Sequence, residues 1–250
     1  MRIRALALVT MTTMTAIAAL ASACGGAGLF RQYEYEEDMF LSLDGSATVY
    51  VNSSIAALDT LRGASFDPGA GRVDRETIRR FFTSPGVSVS SVSQSRRSGR
   101  RFIHVRLDVD DVHRLGSAPP FAWSTYRFER TGDRFVYQQT VGASAAKDVG
   151  AVGWTGRELV AFRLHLPSKI EGNNTKREIG RGNILIWEQT LAARRAGTPL
   201  DLEARMQTQS ILYRTLWLFG LTFVAVAAVF ACVIGWVLRK GAKAEAAGAL

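Results

Sequence analysis

From Thr215 to Leu238 the chain reads TLWLFGLTFVAVAAVFACVIGWVL without one charged residue, whereas between Tyr33 and Met206 apolar and polar positions alternate in short runs. The two patterns predict different surroundings. About 20 residues at ~1.5 Å rise each cross a hydrocarbon core of roughly 30 Å, so the first pattern predicts one membrane-spanning helix over 215–238. Period-two alternation predicts strands with one face buried.

Tyr33 to Leu43 is predicted as a strand, Asp44-Gly45 as a tight hairpin turn and Ala47 to Asn52 as the return strand. Ser53 or Ser54 then caps a helix through Leu61 that puts Ile55, Leu58 and Leu61 on one face and stops at Gly63. Asp74 caps a second helix, Arg75 to Phe82, with Ile78, Phe81 and Phe82 inward and Pro85-Gly86 beyond its end. Strands dominate afterwards. Val87, Val89 and Val92 alternate with serines, Phe102 to Val109 follows the Ser98-Gly99 turn, and Asp110 caps a short helix to Leu115. Ala122 to Glu129 pairs with Phe135 to Val141, and Leu159 to Leu166, Ile184 to Glu188 and Leu200 to Met206 add further strands. The expected fold over 31–210 is an α+β domain: an antiparallel sheet with two main helices early in the domain, followed by the transmembrane helix.

The chain ends give the address. Arg2 and Arg4 precede an uncharged run from Ala5 to Ala23, the layout of a secretory signal peptide over 1–23. The stretch LASACGG, Leu20 to Gly26, closes it and reads in two ways. Ala21-Ser22-Ala23 suits an ordinary signal peptidase, while Leu20 to Cys24 resembles a bacterial lipobox, with Ala21 where leucine is usual. Gly25, Gly26, Ala27 and Gly28 make 24–30 a flexible tether for a lipidated Cys24. The other cysteine, Cys232, sits in the apolar run, so the exported domain has no disulfide and acylation gives the Cys24 thiol a use. Trp217 and Trp236 mark the ends of the apolar run, and Arg239, Lys240 and Lys243 follow it. Basic residues stay inside, so 239–250 is expected in the cytoplasm and the domain outside the cytoplasmic membrane, in single-pass topology.

Charge changes this picture little. The chain carries 31 Lys+Arg and 22 Asp+Glu, and without the flanks the exported span keeps 26 and 21, a net of +5. That excess favours approach to an anionic membrane and is too diffuse for nucleic acid.

Candidate chemistry is sparse. There is no G-x-S-x-G, P-loop or H-E-x-x-H, so no enzyme, cofactor or metal site is expected. His104 and His165 alternate within strands, and Asp108, Asp110, Asp111 and His113 lack the glycine and distal glutamate of a calcium loop, which leaves capping and solvation as their use. Glu34, Glu36 and Asp38 share one strand face, read as a solvated edge. Arg96, Arg97, Arg100 and Arg101 straddle the Ser98-Gly99 turn, either a soluble hairpin end or a grip on phosphates. Gly142 to Gly156, GASAAKDVGAVGWTG, is apolar and too glycine-rich for a helix, and reads as either a flap over a pocket or a loop packed on the sheet.

Three passages resemble the LppM-type domains of bacterial envelope lipoproteins. They are MFLSLDGSATVYVNSSIAALDTLRG, Met39 to Gly63; FRLHLPSKIEGNN, Phe162 to Asn174, with GNILIWEQTL, Gly182 to Leu191; and a strand with Leu202-Glu203-Ala204 running into the membrane helix. Ser168 stands where a glycine commonly follows the proline. The resemblance implies an anchored α+β envelope domain with a proposed role in binding lipids or glycolipids. The expected ligand is a membrane lipid or lipid-linked glycan, met by apolar surface near Phe121, Trp123 and Trp154 with the arginines at the rim. The alternative is a scaffold subunit with an envelope protein partner. Tethered at both ends, such a domain stays near its bilayer and does not shuttle.

Overall fold

The computed structural model describes residues 31–69, 72–179 and 182–248, so the signal segment and Cys24 lie outside the described residues. Its first hairpin joins β1 (Tyr33–Leu41) to β2 (Ala47–Ser54). The turn follows from its residues: Asp44 Oδ1 takes the Ser46 N–H at 3.0 Å, and Gly45 supplies a φ of +87°. Tyr35, Glu37, Met39 and Leu41 alternate inward opposite Val49 and Val51.

Next comes α1 (Ile55–Arg62), capped by Ser54 Oγ on the Ala57 N–H at 3.1 Å and closed by Gly63 at φ +70°. The sequence gives α1 one apolar face, yet all its residues are buried, Asp59, Thr60 and Arg62 included. Helix α2 (Arg75–Phe82) keeps its expected bounds, with Asp74 Oδ2 on the Thr77 N–H at 2.9 Å.

The strands β3 (Val87–Arg97), β4 (Arg100–Val109), β5 (Ser124–Thr131), β6 (Arg134–Val141), β7 (Leu159–His165), β8 (Ser168–Asn173), β9 (Ile184–Thr190) and β10 (Leu200–Ser210) complete the domain, with a short α3 (Leu191–Arg195). They form a six-stranded sheet, β3-β4-β2-β1-β7-β9, and a four-stranded sheet, β5-β6-β10-β8. The core fills the space between them: Tyr137 of β6 meets Met39 of β1, and Phe121, Phe82, Phe162 and Leu58 are sealed there. The α+β expectation holds with two corrections: the strands divide between two sheets rather than forming one, and one pair is not antiparallel. Most pairs are antiparallel, but β1 and β7 run parallel, a register that needs the long crossover through β2 to β6.

Registers give the domain two poles. At one, Leu41 faces Ala47, Ala47 faces Val109, and Phe40 faces His165. At the other, Tyr33 faces Leu159, Ser54 faces Phe102, and the β3–β4 turn projects beyond. The 10 residues of β4, at ~3.3 Å rise each, separate these poles by roughly 30 Å.

Helix α4 (Ile211–Gly248) leaves from the first pole, where the Ile211 N–H reaches the Pro167 carbonyl at 3.0 Å. It extends past both ends of 215–238, and Ile211–Lys240 is long and apolar enough to cross a membrane. Its apolar side chains, among them Leu216, Phe219, Phe223 and Val229, are exposed rather than folded back on the domain.

Candidate functional site

The second pole, distal to α4, carries a cleft of about 450 Å³. Four segments meet there: the first turn of α1 with Ile55 and Ala56, the 67–69 loop, the β3–β4 tip with Gly99, Arg100 and Arg101, and Val149, Ala151 and Val152. Its lining is mixed, with Ile55, Ala56, Pro68, Val149, Ala151 and Val152 beside charged and backbone polar groups. Arg101 and the positive end of α1 face it, while Arg100 is paired with Glu34 and Asp67, whose Oδ1 takes the Gly69 N–H at 2.8 Å, adds an acid.

Strand alternation divides the four arginines, read from the sequence as either a soluble hairpin end or a grip on phosphates. Arg97 faces Arg100 and Arg96 faces Arg101, so they divide into two pairs on opposite sheet faces. Arg100 is committed on the outer face: its Nη2 lies 2.9 Å from Glu34, and its Nη1 donates to the Gly153 carbonyl at 3.1 Å. Arg97 donates to the Tyr33 carbonyl and covers the Phe102 ring at 4.2 Å. Arg96 donates to the Gly99 carbonyl at 3.4 Å. Arg101 differs, for its Nε is buried with no hydrogen-bond partner and it lines the cleft.

The Gly142–Gly156 stretch lies, over its first half, against α1 and the loop after it rather than on the sheet. It packs down, with the Ala145 N–H on the Leu61 carbonyl at 3.3 Å and Lys147 Nζ on the Ala64 carbonyl at 3.0 Å. It also walls the cleft through Val149, Ala151 and Val152. The aromatic residues expected beside it do other work. Phe121 is wholly buried against Phe82, and Trp123 donates its indole N–H to the Arg62 carbonyl at 3.3 Å. Trp154 donates to Glu34 at 3.2 Å with Arg195 over its ring. None of the three lines the cleft.

Glu34 is the residue missed. Read as part of a solvated edge, it is instead wholly buried on an interior strand, because Arg100 and Trp154 cover that end of the outer face. Glu36 and Asp38 do lie on the outer face, half-buried and paired with Arg163 at 2.7 and 3.3 Å.

A second polar group is sealed between the sheets. Glu37 receives the Tyr35 hydroxyl at 3.0 Å, the Gln139 amide at 3.1 Å and Arg62 Nη2 at 3.5 Å. Arg62 also stacks over Tyr35 at 4.8 Å. Burial pushes the Glu37 carboxyl up, against the pull of Arg62, and raises the phenols of Tyr126 and Tyr137. Glu37, Arg62, Tyr35, Gln139 and Tyr137 are too enclosed to meet a substrate.

The Asp108–His113 cluster is spent on structure. Asp111, not Asp110, caps the 3₁₀ turn Val112–Ser117 and pairs with His113 Nδ1 at 2.7 Å, while His113 Nε2 accepts the Phe128 N–H at 3.2 Å. Among the described residues no group of three or more His, Cys, Asp and Glu is arranged to hold a metal ion.

Asp59, behind the 64–67 loop, carries a pH prediction. Burial raises its carboxyl to about 6, opposed by the Phe66 N–H and by Lys147. A folded-state value above the unfolded one, about 4, means that folding takes up a proton. This contribution is full below pH ~4 and is lost as pH rises through about 6. The thermal midpoint is expected to fall over that window, more steeply than in Asp59→Asn; equal slopes would refute the assignment.

No family model matches the chain. No curated protein matches it. Among solved structures, the folded domain of Mycobacterium tuberculosis LppM, determined by NMR, is similar at 14% identity and a TM-score of 0.39, over 73% of this chain and 95% of that chain.

Proposed function

We propose that this chain is a non-catalytic, membrane-anchored domain outside the cytoplasmic membrane that binds an anionic amphiphile, a lipid or lipid-linked glycan, in the distal cleft. Export, lipidation of Cys24 and passage of α4 through the membrane belong to the same proposal. The observation that carries it is the pairing of apolar lining residues, Ile55, Ala56, Val149 and Val152, with a buried, unpartnered Nε on Arg101. Apolar side chains suit acyl or prenyl carbons, and a guanidinium donates a charge-assisted bond to phosphate.

The test is lipid carried through purification of the full chain in mild detergent, extracted and identified by mass spectrometry. An anionic lipid is expected with the wild type. Arg101→Glu is expected to weaken binding about ten- to a hundredfold, the worth of one charged hydrogen bond. Ala151→Trp, which fills the cleft without altering charge, is expected to do the same. Retention of the lipid by both variants would place it elsewhere and end the proposal.

A further inference from the structure

Resting on that reading, we infer that the cleft takes its ligand in trans: an anionic phospholipid displayed by a membrane other than the one that holds α4. Position is the first support. The Pro167–Ile211 contact fixes the exit of α4 at one pole, and strand registers fix Ile55, Gly99 and Arg101 at the other, roughly 30 Å away along β4. The exposed apolar length of α4 does not fold back beside the domain, so the cleft is carried away from the bilayer that α4 enters. A headgroup in that bilayer would have to leave it to reach Arg101.

Charge is an independent support. At the distal pole Arg96, Arg97, Arg157 and Arg195 are exposed, with Lys147 beside the loop, against the exposed acids Asp67, Asp148 and Asp201. At the pole of α4 the exposed groups include Asp44, Asp108, Asp110, Asp133 and Glu171, matched by Arg106, Arg114, Arg130, Arg134 and Lys169. The basic excess therefore lies at the outward end, and the pole of α4 is balanced. A domain built to collect lipid from its own anionic membrane would show the reverse, because attraction to a charged surface fades within ~10 Å at moderate salt, well short of 30 Å.

The experiment reconstitutes the full chain in phosphatidylcholine vesicles, selects those with the domain outward, and adds a second, dye-labelled vesicle population. Docking is read by energy transfer between the two. Targets rich in phosphatidylglycerol are expected to dock at least about tenfold more than phosphatidylcholine targets, and Arg101→Glu is expected to abolish the difference. Ala151→Trp must abolish it as well. Undiminished docking by Ala151→Trp would mean that surface charge alone holds the vesicles, which overturns the inference. Phosphatidylglycerol placed in the host membrane is expected not to compete, and competition from there would show that the ligand is taken in cis. Binding of phosphatidylglycerol micelles by the detergent-solubilised chain, without docking between vesicles, would refute the trans geometry and leave the cleft intact. Failure in both formats would refute the cleft itself.

Discussion

Arg62→Ala is expected to destabilise the domain by about 3–5 kcal/mol, the usual cost of breaking a buried ion pair from one side. Arg62 and Glu37 are both enclosed, at 4% and 2% exposure, so the carboxylate left behind would have no water to replace the guanidinium. Tyr35 and Gln139 would still donate to it, but neither carries charge. The stack of Arg62 on Tyr35 is lost as well. Burial already raises the Glu37 carboxyl, and removing Arg62 raises it further. The variant therefore binds a proton on folding, and its deficit should shrink as pH is lowered. Replacing both members, Glu37→Met with Arg62→Met, is expected to cost less than Arg62→Ala alone, because no charge is then stranded. Denaturant unfolding of the detergent-solubilised chain, followed by tryptophan fluorescence, reads all three. A loss below about 1 kcal/mol for Arg62→Ala would mean that the pair is better hydrated than its burial indicates.

What could be read in the sequence was local. The Asp44-Gly45 hairpin and the bounds of α2 follow from a few adjacent residues whose side chains cap or turn the backbone on the spot. Strand β8 was missed because only Ser168 and Ile170 of its six residues are buried, too short a pattern to register as alternation. The parallel pairing of β1 with β7 leaves no local trace, since register between distant strands is a tertiary property. The same reason hid the candidate site. Arg101, Ala56, Pro68 and Val152 are ordinary residues apart, and only the fold makes them one cleft. The arginine cluster was visible as composition, but alternation had already divided it into two faces.

The poles also bear on the anchors. From Cys24 to Arg31 the chain reaches at most about 25 Å at full extension, short of the roughly 30 Å between the poles. Arg31 precedes β1 at the distal pole, where the Leu159 N–H bonds the Gln32 carbonyl at 2.9 Å. An acyl group on Cys24 sharing a flat bilayer with α4 would therefore draw the distal pole toward that bilayer, so the trans arrangement requires that Cys24 not be anchored in the membrane that α4 crosses.

The second large effect is expected at Glu34, and it should be local where that of Arg62 is global. Its carboxylate, wholly buried, collects both Nε and Nη2 of Arg100, the Trp154 indole at 3.2 Å and the Gln32 amide at 3.1 Å. Through Arg100 it also holds the carbonyls of Val152 and Gly153. One side chain thus fastens β1, the β3–β4 tip and the 149–156 wall, three segments far apart in sequence, at the mouth of the cleft. Glu34→Ala is expected to cost about 3–5 kcal/mol, because it strands Arg100, which is only 10% exposed. The loss should appear first as local opening, with amide hydrogen exchange at Gly150, Thr155 and Gly156, the hydrogen-bonded amides of the wall, about a hundredfold faster while the strands of the four-stranded sheet keep their protection. Glu34→Gln, which keeps one acceptor oxygen, should fall between. Exchange that rises evenly through both sheets would show that Glu34 supports the core as a whole, and the wall of the cleft would then have no clamp of its own.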